Sequence, residues 1–248
     1  MRVVAVVPAR EHSKGIVGKN LRRLGDRNLI EIAVMCALEA GCDEIWVNCT
    51  ISLYRQLTPT LWKIAQHWPR PLALDADDTP MFAVIDEMRR GGAFANEDDA
   101  IALLQCTQPL RKPEHVQQAI ALLGEWDEDW LVRTHSVVSV APIPATHAPE
   151  MLVVPNAIGG LVPLAAARQG WASESSAWAK RPTRRQDVPI YCRPDGTVYA
   201  CWRATIDDGS LYGDHVRPLI IPPEDTCELD TEADFADLER RWKDRHGA

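Results

Sequence analysis

Five basic side chains fall close together near the start of the chain, in VVPAREHSKGIVGKNLRRLG (Val6 to Gly25): Arg10, Lys14, Lys19, Arg22 and Arg23. Gly15 and Gly18 punctuate the run, and an apolar stretch precedes it. Glycines at such a point let backbone N–H groups approach phosphate oxygens, while Arg10 and Lys19 supply compensating charge. That is the chemistry of a loop wrapped around a nucleoside triphosphate. The spacing matches neither standard glycine motif. Gly15 and Gly18 have two residues between them, not four, and Asn20 follows Lys19 where a phosphate loop wants Ser or Thr. G-x-G-x-x-G is also missing. From spacing alone, a tight strand-to-helix turn with incidental basic residues stays open.

The rest of the composition sharpens the contrast. The chain of 248 residues carries 27 Lys and Arg against 35 Asp and Glu, a net charge of −8. Residues 1–27 instead hold seven basic and two acidic side chains, or +5. A second basic patch, KRPTRRQ, lies at 180–186, where solvated surface charge explains it equally well. An acidic body argues against a nucleic-acid partner, and local cationic clusters within it fit a small polyanion. The opening VVAVVP is too short to span a membrane and lacks the flanks of a secretory leader, so no membrane partner is expected. Seven cysteines without a C-x-x-C pair suit reduced thiols in a cytoplasm, and no Cys/His spacing suits zinc.

The elements that must hold the loop follow an alternating rhythm. VVAVVPA reads as a strand buried on both faces, NLIEIAVMCALEAG as a helix stopping at Gly41, and EIWVNCT as a second strand. PMFAVIDEMRRGG reads as a helix, AIALLQCT as a third strand, PEHVQQAIALLG as a helix and SVVSVAPI as a fourth strand. GTVYACW and RPLIIP read as returning strands, and EADFADLERRWKDR as a closing helix. This predicts a three-layer α/β fold around a mostly parallel Rossmann-like sheet. Between about 143 and 189 the rhythm breaks into short apolar runs (MLVV, GGLVPL) with Trp171 and Trp178. That piece reads as an arm inserted into one domain spanning 1–248, and its uncovered apolar surface predicts a homodimer.

Four collinear stretches carry a more specific signal. PAREHSKGIVGKNLR resembles the P-A-R-x-x-S-K-G-x-x-x-K-N-L-R signature of the N-acylneuraminate cytidylyltransferases, or CMP-sialic acid synthetases. LLQCTQPLR at 103–111 is similar to that family's L-L-Q-P-T-S-P-L-R, and RRQDVPIYCRPDGTVY at 184–199 to its R-Q-x-x-P-x-x-x-R-P-N-G-x-x-Y. CELDTEADFADLE at 227–239 stands where the family has D-I-D-T-x-x-D. The resemblance implies a fold of the nucleotide-diphospho-sugar transferase type with a dimerisation arm. It also implies the joining of CTP to an acidic keto-sugar, with loss of pyrophosphate.

Residue by residue, the resemblance implies that Arg10 and Lys19 hold the triphosphate, and that Ser13, Asn20 and Thr79 bind the nucleotide. Arg185 matches the arginine of the R-Q pair and is the candidate for charge stabilisation near the phosphates; a salt bridge at a dimer interface is its other reading. Asp230 falls on a carboxylate that holds Mg²⁺ in the family, with Glu228 in place of the first aspartate. If 228–230 is a strand, both carboxylates share a face; otherwise Glu228 only caps or solvates the last helix. Gln105, Arg193, Tyr199 and Tyr212 match sugar-side positions. The chain departs from the pattern at Thr50, where V-S-T-D has become VNCT, and at Pro80, Met81 and Phe82 after Asp78 and Thr79. It departs again at Gln108, where a small serine is usual, and at Met151, where a lysine is. These changes cluster around base and sugar recognition, so they bear on specificity more than on reaction class. An octulosonate acceptor, or a degenerate nucleotide-binding relative, are the competing readings.

Overall fold

The computed structural model describes the chain except residues 12–14, 128–131, 156–159, 165–177, 179–181, 183 and 248. A seven-stranded sheet is its backbone: β1 (Val3–Pro8), β2 (Glu44–Cys49), β3 (Gln66–Pro69), β4 (Ala100–Leu103), β5 (Ser136–Pro142), β6 (Cys192–Trp202) and β7 (Val216–Ile220). The spatial order is 3-2-1-4-6-5-7. Strands β1 to β4 are mutually parallel, with Val6 beside Trp46 on one side and Leu103 on the other. β7 runs parallel to β5, and β6 runs antiparallel to β4, placing Tyr199 opposite Leu103.

The strand that launches the basic loop is apolar at every position because both of its faces are covered. Ala5 and Val7 face a core that includes Leu29, Ile30, Val34, Val116, Leu123, Phe235 and Leu238. Val4 and Val6 face a second core with Ile85, Met88, Phe94 and Ile206. The helices supplying those residues are α1 (Leu29–Glu39), α5 (Pro113–Gly124) and α7 (Glu232–His246) on one side, and α4 (Met81–Arg90) and α6 (Arg203–Asp207) on the other. This is the expected three-layer arrangement. Two further short helices, α2 (Ile51–Tyr54) and α3 (Pro59–Ile64), connect β2 to β3. That connection, and strand β3 itself, are additions to the sequence reading.

Local sequence sets the helix boundaries. Asn28 and Glu31 form a reciprocal capping box at the start of α1, each bond 2.9 Å long. Thr231 and Asp234 do the same for α7, which ends at Gly247 with φ 69°. Pro113 opens α5, where a missing N–H costs nothing.

The described chain divides into two compact units, 1–140 with 194–248, and Ala141–Arg193. The smaller unit contains an antiparallel ribbon pairing Val153–Pro155 with Leu161–Pro163. Within it Ile143 N–H donates to the Tyr191 carbonyl at 2.9 Å, and the Tyr191 hydroxyl bonds Glu150. Leu152, Val153, Leu161 and Ile190 are exposed, Ile190 to 87%. Among the described residues no helix is long and apolar enough to cross a membrane.

Candidate active site

Strand order reverses at β1, whose neighbours β2 and β4 lead away in opposite directions. In open parallel sheets the crevice at the carboxyl ends beside such a switch point is where ligands bind. Here that crevice is a cleft of about 250 Å³, lined by Pro8 at the end of β1 and Arg10 beyond it, Arg70 and Asp77 after β3, and Gln105 and Thr107 after β4. Asn20, Thr79 and Met81 complete the wall.

The basic loop is folded tightly against this mouth. Ile16 is fully buried, Gly18 takes φ 63°, and Lys19, Asn20 and Leu21 form a short 3-10 turn. A side chain on Gly18 would strain that left-handed turn. Gly15 meets a different constraint: a Cβ there would overlap the carbonyl oxygen of Asp230. The Asn20 amide donates to the Arg10 carbonyl at 2.9 Å and closes the loop on itself. Arg22 clasps Glu232 through both carboxylate oxygens (2.8 and 2.7 Å) and lies 3.8 Å over the Phe235 ring, tying the end of the loop to α7.

The predicted residues separate into two groups. Arg10, Asn20, Thr79 and Gln105 meet in the cleft wall. The Arg10 guanidinium pairs with Asp77 there. Lys19 and Asp230 meet at a second point: the ammonium bonds the Leu229 carbonyl and lies 3.6 Å from the Asp230 carboxylate, which is 87% exposed. Ser13 lies outside the described residues, as does the side chain of Arg185, whose backbone forms the turn Arg185–Asp187 in the smaller unit. Arg193 is exposed and belongs to that unit as well. Tyr199 and Tyr212 form an edge-on pair, ring centres 6.5 Å apart, and do not contribute to the cleft wall. Burial, with Tyr212 nearby, pushes the Tyr199 hydroxyl up to about 12.

Three expectations about the substituted positions change. Glu228 and Asp230 are not on a strand; they lie on an extended segment where buried Cys227 and Leu229 alternate with the exposed carboxylates, so the two still share a face. Nor does Glu228 cap α7, since Thr231 and Asp234 do. Gln108 does not line the cleft. It is buried as a strut, donating to the Asp195 carbonyl (2.5 Å) and the Cys227 carbonyl (2.9 Å) and accepting from the Cys227 N–H (3.2 Å). Thr50 caps α2, accepting from the Leu53 N–H at 3.4 Å. Met81, by contrast, does line the cleft.

Sequence reading missed Arg70. It contributes to the cleft wall, and its buried guanidinium donates to the Asn48 side chain at 2.7 Å and lies 3.7 Å from Asp75, with Nη2 enclosed and without a hydrogen-bond partner. Burial, partly offset by Asp75, lowers its pKa. Nothing in its immediate sequence, WPRPLAL, signals a ligand. Arg111, also buried, ties the segment after β4 to β6 by donating to the carbonyls of Gln105 and Thr197, both at 2.5 Å. Gly196 (φ 80°) lets Gln105 lie across it, since a Cβ would approach the Gln105 amide oxygen to 2.9 Å. Burial pushes the thiol of cleft-lining Cys106 up to about 12, which leaves it without nucleophilic thiolate. What the cleft offers is cations, amides and backbone, the means of positioning and charge neutralisation.

Residues 4–151 match the family described as Cytidylyltransferase. The CMP-N,N'-diacetyllegionaminic acid synthase of Legionella pneumophila is 30% identical over 250 residues, covering 97% of this chain and 96% of that protein. The N-acylneuraminate cytidylyltransferase of Streptococcus agalactiae is 23% identical over 95% of this chain, which spans 52% of that longer protein. Among solved structures, a CMP:2-keto-3-deoxy-manno-octonic acid synthetase complexed with CTP superposes with a TM-score of 0.66 at 18% identity, covering 99% of this chain and all of that one.

Proposed function

Since this chain belongs to the cytidylyltransferase family, we propose that it moves CMP from CTP to the anomeric hydroxyl of an acidic nonulosonic sugar and releases pyrophosphate. The observation that carries the reading is the position of the basic loop, with Arg10 and Asn20 in the wall of the switch-point cleft. The hydroxyl oxygen, losing its proton to solvent, attacks the α-phosphorus as the bond to the bridging oxygen breaks, and the electron pair departs on pyrophosphate. Both reactants are anions, so the site must supply positive charge before they can approach. Arg10 exchanges its Asp77 partner for phosphate oxygens, and Lys19 offsets charge on the leaving group. Arg70 adds buried positive charge at the cleft wall, and Met81 an apolar wall beside Thr79. Gln105, held from behind by Arg111, faces the acceptor.

Magnesium prefers one or two carboxylates together with phosphate oxygens. The exposed, same-face pair Asp230 and Glu228 beside Lys19 fits that donor set, and among the described residues no group of three or more ligands competes with it. When bound there, the ion would neutralise triphosphate charge. Arg185 is proposed to add a further cation toward the phosphates, with Arg193 and the Tyr199–Tyr212 pair on the sugar side. The exposed apolar residues of the smaller unit support a homodimer, and seven free thiols support a cytoplasmic protein.

The deciding experiment measures Mg²⁺-dependent pyrophosphate release from CTP with a panel of legionaminic, N-acetylneuraminic, pseudaminic and octulosonic acids. Release with a nine-carbon acid is the expected result. Turnover with the octulosonic acid alone would move the chain to the shorter acceptor, and silence with every acid would end the catalytic reading.

A further inference from the structure

Three pins hold the basic loop in place. Lys19 and Gly15 seat it on Leu229 and Asp230, and Asn20 closes it onto the Arg10 carbonyl. The third pin is Glu11, the residue directly after Arg10. Its carboxylate accepts from the Thr50 hydroxyl at 2.7 Å and from the Ser52 hydroxyl at 2.6 Å. Its backbone N–H donates to Asp75 at 3.2 Å. The two hydroxyls lie 3.1 Å apart at the start of α2, where Thr50 is the cap, so they form a fixed double donor at the end of β2.

We propose that Glu11 is a positioning residue for the nucleotide loop, and that its role is coupled to the hydroxyl at position 50. Hydrogen bonds to an ionised acceptor are about twice as strong as neutral ones. Two of them on one side chain set the direction in which the chain leaves β1, and so where the adjacent Arg10 guanidinium is delivered. The coupling explains why Thr50 stands where the resembled family has aspartate. A carboxylate at 50 would sit within hydrogen-bond distance of the Glu11 carboxylate with no proton to share, and like charges at that range repel. Threonine keeps the helix cap and adds the donor that Glu11 needs. Aspartate caps a helix equally well, so Thr50→Asp alters the electrostatics and leaves the cap intact. The inference rests on the nucleotide reading of the loop.

The test uses the intact protein with Mg²⁺ and measures CTP affinity by calorimetry. It also follows hydrogen exchange of residues 15–21 without ligand. Glu11→Ala is expected to weaken CTP about 10-fold, the scale of lost charge-assisted hydrogen bonds, and to speed exchange in the loop. Thr50→Asp is expected to weaken CTP at least as much, while Glu11→Ser/Thr50→Asp recovers affinity to within about 3-fold of the parent, because contacting residues are not additive. Parental affinity and exchange in both single variants would overturn the proposal, and an additive double variant would overturn the coupling. A parent that does not bind CTP would instead sink the nucleotide reading, and loop exchange in Glu11→Ala would still decide whether Glu11 orders the loop.

Discussion

Lys19 illustrates how one side chain serves two ends. Its ammonium is held by the Leu229 carbonyl and stands 3.6 Å from Asp230, so the positive charge of the loop and the proposed metal carboxylate are already assembled. Lys19→Ala is expected to lower kcat/KM by about 100-fold with the fold intact, the scale of one preorganised electrostatic contact. Steady-state kinetics beside a circular dichroism melt checks this, and a folded variant of near-parental activity would place the phosphates elsewhere. Asp230→Asn is expected to abolish Mg²⁺-dependent turnover, whereas Glu228→Asp, which keeps the carboxylate, is expected to be tolerated. A titration of rate against Mg²⁺ separates the two; an unchanged midpoint in Asp230→Asn would move the metal away from this segment. Gly15→Ala probes the same junction through sterics, because its methyl group collides with backbone rather than with a flexible side chain.

Among the elements, α7 is fastened at both ends. Arg22 grips its first turn through Glu232, and Arg245 in its last turn donates to the Leu110 carbonyl (2.9 Å) and pairs with buried Asp225 (2.5 Å). Asp225 also takes Lys112 at 2.7 Å and lies 3.3 Å from His115, so it joins α7 to the start of α5. Burial works to raise its pKa, but hydrogen bonds and charge from Lys112 and Arg245 outweigh it and leave the carboxyl below its usual range. Burial lowers the pKa of His115, against the pull of Asp225. In both cases the unfolded chain holds the proton more readily, so stability is lost as pH is lowered. The loss begins near the ordinary histidine pKa of about 6.5 and deepens as pH passes below the ordinary aspartate value of about 3.9. Asp225→Asn removes the buried carboxylate that Lys112 and Arg245 share and is expected to cost about 2 kcal/mol at neutral pH, a gap that narrows in acid. Urea unfolding at several pH values reads both effects. Gln108→Ser, the residue usual in the resembled family, is expected to destabilise by about 2 kcal/mol, because buried carbonyls of Asp195 and Cys227 lose their donor.

Such struts also mark where the sequence stops being legible. β1, β4, α1, α5 and α7 announce themselves through apolar runs and caps, because local periodicity and burial agree there. QHWP does not announce β3, since a short polar edge strand has no buried period to display. Thr50 and Gln108 look like recognition changes until their partners, 39 and 119 residues away in the chain, are known. Arg70 has no motif at all; only its burial and its place in the cleft wall reveal it.

For the whole molecule the strongest expectation is a homodimer formed through the unit Ala141–Arg193, whose exposed Leu152, Val153, Leu161 and Ile190 need cover. Light scattering at micromolar concentration should report twice the 27.7 kDa of one chain, and a fully active monomer would remove that role. The junction between the basic loop and Asp230 has a further consequence, in time rather than in space. Its partners are 210 residues apart in sequence, among the most distant pairings the fold makes. Closing so long a loop is entropically expensive until the intervening sheet exists to hold both ends. The loop cannot acquire its native shape early, however quickly β1 and its neighbours form. Refolding from urea should therefore regain secondary structure first and the capacity to hold a nucleotide last.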